Sequence, residues 1–340
     1  MFLLFSLYFS KGQDWQKLNP FPNQVSNSLK CVQFSNENTG YAVGTYGTII
    51  KTLDGGTLWT RQISGTTKEL RTIFLINRDT LYAAGESGTI LYSADGGNIW
   101  KTQTSGVTET INSIRFIDAN TGLAVGSKGT ILRTVNGGNE WSLITSGTIQ
   151  PLNGIFFINQ TAGFIVGNSG TILKTSNAGL TWTSQNILYY DLNALFFVSA
   201  DKGFMVGNGG NIFITEDGGN SWTDIITGTY FKLTSLHFSD KNNGCAVGES
   251  GEIARTNDGG KSWNVLKGWE NPQPFITNNN LNAVHFTGPA SGFAVGDDGM
   301  VLKSTDQGLT WTVMTAWKNS IWFSKVFCVD ANTAYAGGGS

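Results

Sequence analysis

The sequence predicts an all-β fold, a single β-propeller of seven or eight four-stranded blades. Three observations carry that prediction. First, eight of the eleven tryptophans (Trp15, Trp59, Trp100, Trp141, Trp182, Trp222, Trp263 and Trp311) are separated by 44, 41, 41, 41, 40, 41 and 48 residues. A repeat of about 40 residues that brings its own strands and turns is the mark of a solenoid or propeller. Second, each repeat divides into four short apolar segments punctuated by glycine. Third, charged residues make up only 14% and glycine numbers 44 of 340 residues. That composition suits many short strands joined by tight turns, and neither a helical bundle nor a disordered tail.

Along the chain, Phe2 to Phe9 form an apolar run followed by the small residues Ser10 and Gly12. Residues 1–12 resemble the tail of a secretory signal peptide without its positive n-region, the alternative being a buried first strand. The protein is therefore expected to be exported to the periplasm, the cell surface or the medium. No run reaches the ~18 apolar residues of a spanning helix. Residues 13–340 are assigned to the propeller.

The stretch Ile111 to Gly147 serves as the template repeat. Ile111, Ile114 and Phe116 mark a first strand that ends at the polar turn Asp118-Ala119-Asn120, and Gly122 to Gly126 form a second. Ser127-Lys128 lies between Gly126 and Gly129, as a tight hairpin requires, because glycine tolerates positive φ. Thr130 to Thr134 form a third strand, and Trp141 opens a fourth that ends at Ser146-Gly147. Four strands in about 41 residues is the content of one propeller blade.

The loop from third to fourth strand carries the most specific motif: Thr or Ser, then Asp or Asn two positions on, Gly two further, and Trp three beyond. Its second member is Asp54, Asp95, Asn136, Asn177, Asp217, Asp258 and Asp306 in turn. Such side chains fold back onto backbone N–H groups and fix a turn, while the tryptophan is expected to fill the gap between adjacent blades. The motif resembles the Asp-box, or bacterial neuraminidase repeat, of sialidases, some xyloglucanases and sortilin-type receptors. The whole unit, with the Gly-x-Ala-Val-Gly-x-x-Gly-x-Ile pattern from Gly122 to Ile131 and from Gly244 to Ile253, more closely resembles the propeller family of photosystem II assembly and stability factors. Gly163 to Ile172 follows the same pattern with Ile165 in place of alanine. The likeness spans residues 15–340. It implies that the boxes are structural turns and that the ring has seven blades, whereas the repeats count to eight.

The ends look complementary. Asp14 to Leu18 reads as a lone fourth strand, and Phe323 to Gly338 as a first and second strand. A blade built from both would remove an open sheet edge. The segment ends before its own third strand, so the propeller is expected to continue past residue 340.

Within a blade, the boxes share one face with the turns between first and second strands; this is the box face. The second-to-third turns share the other face with the connections between repeats; this is the connection face. The latter presents the variable pairs Thr45-Tyr46, Glu86-Ser87, Ser127-Lys128, Asn168-Ser169, Asn208-Gly209, Glu249-Ser250 and Asp297-Asp298. Loops on a fixed scaffold are where binding specificity resides. Aromatic residues off the repeat also gather in the later connections: Tyr189, Tyr190, Tyr230, Phe231, Trp269, Phe275, Trp317 and Trp322. Tyr189, Tyr190, Tyr230, Phe231, Trp269 and Trp317, beside Glu249, Asp297 and Asp298, are the candidate surface for a protein or glycan.

Other chemistries find little support. The net charge is −2 with no basic stripe, so nucleic acid is not an expected partner. Arg133 and Arg255 fill a repeat position shared with Lys51, Lys174 and Lys303 and read as structural. Arg61, Arg71, Arg78 and Arg115 are confined to the first three repeats. A glycosidase needs only two carboxylates across a cleft, but nothing pairs Glu86 or Glu249 with Asp297 or Asp298. His237 and His285 share one register of the first strand and are expected to line the channel, since two His without a third ligand make no metal site. Cys31, Cys245 and Cys328 show no CxxC spacing and read as buried free thiols. No catalytic residue, metal or cofactor is assigned, and the chain is expected to act as a monomer. The expected function is that of a secreted, non-catalytic scaffold, with an Asp-box glycoside hydrolase of the sialidase or xyloglucanase type as the alternative.

Overall fold

The computed structural model describes residues 29–35, 39–53, 59–186, 190–266, 277–286, 290, 292–296, 301–315, 322–328 and 334–339. Residues 1–12, the strand expected near Trp15, and Asp54, Tyr189, Trp269, Asp297, Asp298 and Trp317 lie outside them. Seven four-stranded antiparallel sheets and one two-stranded sheet follow one another along the chain. Blade 1 comprises β1 (Leu29–Phe34), β2 (Gly40–Gly44), β3 (Ile49–Thr52) and β4 (Trp59–Gln62). Blade 2 comprises β5 (Leu70–Leu75), β6 (Leu81–Gly85), β7 (Ile90–Ser93) and β8 (Lys101–Gln103). Blade 3 comprises β9 (Ile111–Phe116), β10 (Gly122–Gly126), β11 (Ile131–Thr134) and β12 (Ser142–Ile144). Blade 4 comprises β13 (Leu152–Phe157), β14 (Gly163–Gly167), β15 (Thr171–Thr175) and β16 (Thr183–Asn186). Blade 5 comprises β17 (Leu192–Phe197), β18 (Gly203–Gly207), β19 (Ile212–Thr215) and β20 (Thr223–Ile225). Blade 6 comprises β21 (Leu233–Phe238), β22 (Gly244–Gly248), β23 (Ile253–Thr256) and β24 (Asn264–Val265). Blade 7 comprises β25 (Leu281–Phe286), β26 (Gly292–Gly296), β27 (Val301–Ser304) and β28 (Thr312–Thr315). The last sheet pairs β29 (Trp322–Cys328) with β30 (Ala334–Gly339).

Each first strand packs against the first strand of the next blade, and β29 touches both β25 and β1. The ring therefore closes through eight sheets. Among the described residues no helix is long and apolar enough to cross a membrane. The apolar core is divided into clusters that straddle neighbouring blades, such as Tyr41 and Val43 with Ile73, Leu81 and Trp100.

The box builds the same turn in all six copies that are described. In blade 2, the Ser93 hydroxyl donates to Asp95 Oδ1 (2.8 Å) and accepts from the Gly97 N–H (2.9 Å), while the Ile99 N–H donates to Asp95 Oδ1 (3.0 Å). Thr134, Asn136 and Gly138 repeat the pattern with a neutral amide. So do Thr256, Asp258 and Gly260. The glycine is required twice over. Gly260 has φ +81°, and a Cβ there would lie 2.2 Å from the Phe204 ring of the preceding blade. The tryptophan that follows sits edge-on to the same aromatic surface, with Trp263 at 6.1 Å and 77° to Phe204 and 5.8 Å and 90° to Phe238. Truncating the buried Trp263 to alanine is expected to cost about 3–5 kcal/mol.

A hydrogen bond latches five of the six described turns to the blade before it. The carbonyl three residues after the Ser or Thr belongs to a residue at positive φ: Gly96, Gly137, Ala178, Gly218, Gly259 or Gln307. The Tyr41 and Tyr82 hydroxyls donate to the carbonyls of Gly96 and Gly137, both at 2.8 Å. Tyr82 occupies the second position of β6. The same position of β10, β14 and β22 holds Leu123, Phe164 and Cys245, which have no such donor. There the residue paired across on the third strand takes over, namely Arg133, Lys174 and Arg255. Each donates at 2.8 Å, to Ala178, Gly218 and Gln307 respectively. Arg133, Lys174 and Arg255 are therefore structural. In blade 5 the corresponding pair, Phe204 and Ile214, offers no donor.

Two predictions follow from these contacts. Burial opposes ionisation of Asp258, but hydrogen bonds from Ser262 and Thr256 outweigh it and lower its carboxyl from 3.8 to about 2. The ionised form is therefore the stabilising one above pH 4, and that contribution is lost as pH falls through 2. Asp258→Ala should lower Tm by roughly 2–4 °C at pH 7, and the deficit should shrink between pH 4 and 2. Asp258→Asn should hold its Tm near wild type, as the natural boxes at Asn136 and Asn177 do. For the latch, Arg133→Leu should cost about 1–2 kcal/mol. Adding Leu123→Tyr should recover most of it, as thermal unfolding of the single and double mutants would register.

Candidate functional site

On the connection face, the second-to-third turns are tighter than the glycine spacing suggests. The two central residues are not Ser127-Lys128 but Lys128-Gly129, at φ 53° and 70°, with the Thr130 N–H donating to the Ser127 carbonyl at 3.1 Å. Two successive positive φ angles make a type I′ turn, whose twist matches the flanking strands. The first residue of each variable pair is consequently half-buried and held to the blade. Thus the N–H groups of Glu86, Ser127, Asn168, Asn208 and Glu249 each donate to the carbonyl just ahead of the first strand. Only the second residue projects: Tyr46, Ser87, Lys128, Ser169 and Ser250, with Gly209 alone lacking a side chain.

Two of the candidate tyrosines bracket that bare turn. A Cβ on Gly209 would lie 3.7 Å from Tyr190 Cε1, and one on Gly210 would lie 2.3 Å from the Thr229 carbonyl, next to Tyr230. The Thr227 hydroxyl donates to the Gly210 carbonyl at 3.0 Å, tying the second connection to the turn. Tyr190 leans on Phe213 at 6.5 Å between ring centroids. Asp191 joins the turns of two blades: it accepts from the Ser169 N–H at 2.9 Å and from Asn208 Nδ2 at 3.1 Å. Tyr190, 40% exposed, thus lies beside the turn without a side chain, and Tyr230, 90% exposed, follows the Thr229 carbonyl that packs on Gly210. Phe231 and Ile226, in the same connection as Tyr230, are 45% and 93% exposed. Glu249 belongs to the adjoining turn, its N–H bonded to the carbonyl of Lys232, the neighbour of Phe231.

Tyr190, Tyr230 and Phe231 lie in the two connections that pack on the Gly209 turn, and Glu249 lies in the turn tied to the second of them. Gly209 belongs to the variable pair Asn208-Gly209, whereas Asp191 and Ile226 were not marked by the sequence. Ile226 could have been, since it precedes a Thr-Gly-Thr turn as Ile63 precedes Ser64-Gly65-Thr66. The box face also exposes apolar residues, Leu53, Ile99, Val135, Leu180 and Leu309. They come one to a blade, as ordinary surfaces have them, rather than around one turn.

The remaining groups are largely engaged. Glu86 Oε2 accepts from the Glu69 N–H at 3.2 Å. Arg71 pairs with Glu69 at 3.0 Å. His237 lies between Phe196 and Phe286, with centroids at 4.9 and 6.3 Å, and its Nδ1 accepts from the Phe286 N–H. Cys31 and Cys245 are buried free thiols, and burial pushes the Cys245 thiol up to about 12. Among the described residues, no three His, Cys, Asp or Glu side chains are grouped to hold a metal ion.

With this geometry in place, the chain matches the family model of the photosynthesis system II assembly factor YCF48 over residues 10–101, 63–135, 134–233 and 228–319. It belongs to that family. No curated protein matches it in sequence. Among solved structures it is similar to YCF48 bound to a D1 peptide (19% identity, 82% of this chain and 94% of that one, TM-score 0.66). It is also similar to YCF48 from Cyanidioschyzon merolae (21% identity, 83% and 97%, TM-score 0.65). The GH74 enzyme of Niastella koreensis shares the propeller architecture at 15% identity, over 91% of this chain and 65% of that one, TM-score 0.58.

Proposed function

We propose that the protein is an exported, non-catalytic scaffold that holds a segment of a partner protein against its connection face. The observation that carries this reading is the packing of two connections on the Gly209 turn, which has no side chain; their Tyr190, Tyr230, Phe231 and Ile226 are exposed, and together they would form a shallow cleft. Tyrosine at such a site supplies a large contact area and a hydroxyl at low entropic cost. Membership of the YCF48 family supports a protein partner, because a YCF48 structure holds a D1 peptide. Export rests on the apolar run from Phe2 to Phe9. Among the described residues, the tie between Glu86 and the Glu69 backbone speaks against Glu86 as one of the two carboxylates that a GH74-like hydrolase would need.

The test is a peptide and glycan array probed with wild type, with Tyr190→Ala/Tyr230→Ala and with Gly209→Lys. Lys128 already occupies the position of Gly209 in blade 3, so the last variant should fold and fill the cleft. Peptide binding by wild type should fall at least tenfold in both variants, with Tm unchanged, because buried tyrosine hot spots are worth about 2 kcal/mol each. Equal binding by all three proteins would remove the cleft from consideration. Binding of glycans alone would replace the protein partner with a carbohydrate.

A further inference from the structure

The first strands of the eight sheets line the centre of the ring, and none of them contains Asp or Glu. They carry Lys30, Arg71, Arg115 and Lys325 instead, in a chain of net charge −2. A register shift at the start of each strand, as between Ile111 and Ser113, adds one extra residue. It turns the second, third and fifth positions toward the centre, where they are partly exposed.

The second positions are satisfied. Arg71 pairs with Glu69 and reaches Asn112 Oδ1 at 3.2 Å. Asn112, Asn153 and Asn193 each donate to the carbonyl of the leucine that opens the next blade, at 3.0, 3.1 and 2.8 Å. In blades 2 to 6 the third positions are small, namely Thr72, Ser113, Gly154, Ala194 and Ser235, whereas β29 has Lys325 there. Around Arg115 they leave room above the fifth positions, which lie roughly 10 Å further along the strand from the second.

Arg115, at a fifth position, is different. Its guanidinium sits over Phe74 at 5.5 Å and Phe156 at 5.9 Å. No carboxylate or carbonyl among the described residues accepts a hydrogen bond from it. Burial lowers its pKa, and no neighbouring carboxylate opposes the effect. Guanidinium does not give up its proton in a protein, and it presents five donors in a planar fork suited to a carboxylate. The belt continues as apolar rings, with Phe156 to Phe196 at 6.0 Å and Phe196 to His237 at 4.9 Å.

We propose that the central channel binds a carboxylate carried on an apolar or aromatic body, with the carboxylate on the Arg115 guanidinium and the body against Phe74, Phe156 and Phe196. The site is separate from the cleft at Gly209, on the wall of the ring rather than on its face. The same chemistry could arrive as a small free acid or as the end of a chain.

Calorimetric titration of wild type at fixed ionic strength tests it, with phenylacetate as the free acid and N-acetylphenylalanine as the chain end. Phenylacetamide and N-acetylphenylalanine amide serve as the neutral counterparts. At least one acid should bind saturably, and its amide at least tenfold more weakly, since a charge-assisted bidentate pair is lost; whichever acid binds identifies the source. Arg115→Gln should lose the same factor and keep its Tm, because the cation it removes has no partner to strand. Arg115→Lys, which keeps the charge without the fork, should fall between. The acid–amide comparison needs no variant, so a folding defect in Arg115→Gln leaves the test intact. Failure of both acids to bind wild type, equal affinity of acid and amide, or unchanged affinity in Arg115→Gln would each overturn the proposal.

Discussion

The six blades whose boxes are described depend on one contact: the box turn pressed onto the second residue of the preceding blade's second strand. The turn glycine has no room for a side chain, as at Gly219, where a Cβ would lie 2.3 Å from the Phe164 ring. The turn tryptophan closes over the same surface, Trp222 at 6.1 Å and 88° to Phe164. The carbonyl turned outward by a positive φ would be an unsatisfied acceptor at a packed interface. A donor from the neighbour meets it at five of the six interfaces described. Position, not residue type, is what the repeat preserves: a tyrosine hydroxyl from one strand or a basic side chain from the next strand reaches the same oxygen. Rigidity in a propeller is thereby passed from blade to blade around the ring.

That mechanism separates the two faces. The box face is committed to holding blades together, and the carboxylates of its described boxes are consumed as turn formers. Asp217 illustrates this: hydrogen bonds from the Ser221 side chain and backbone, and from Thr215, hold its carboxyl far below the usual carboxylate range. The connection face joins blades through backbone groups, its half-buried first turn residues and Asp191, and leaves the second turn residues projecting. It can therefore vary those projecting side chains at little cost to stability, a freedom the proposed cleft at Gly209 would exploit. Arg115 and the rings beside it form a third environment, shielded by the ring itself.

Much of the fold was legible in the sequence because the repeat imposes it. Gly122 to Gly126 and Ile111 to Phe116 are strands as read, and Trp263 lies between blades as expected. Arg133 and Arg255 prove structural, as their alternation with Lys51, Lys174 and Lys303 indicated. What escaped the sequence depends on partners distant along the chain. The exchange of Tyr82 for Arg133 as latch donor is visible only once Leu123 and Arg133 are known to pair across strands. The turn centre moved by one residue because Gly129, and not Ser127, takes the second positive φ. The extra residue in each first strand, which turns Asn112 and Ser113 both toward the channel, leaves no compositional trace. Tyr190 and Tyr230 stand out as off-repeat aromatics, but the packing of their two connections on the Gly209–Gly210 turn is a product of the fold.

The division between faces is tested most directly by hydrogen–deuterium exchange with and without a peptide ligand recovered by wild-type protein. The account predicts slowed exchange at residues 190–191, 208–211 and 226–232, with the box turns at 93–99 and 256–262 unchanged. Protection confined to the box turns, with the loops around Gly209 unaffected, would contradict it.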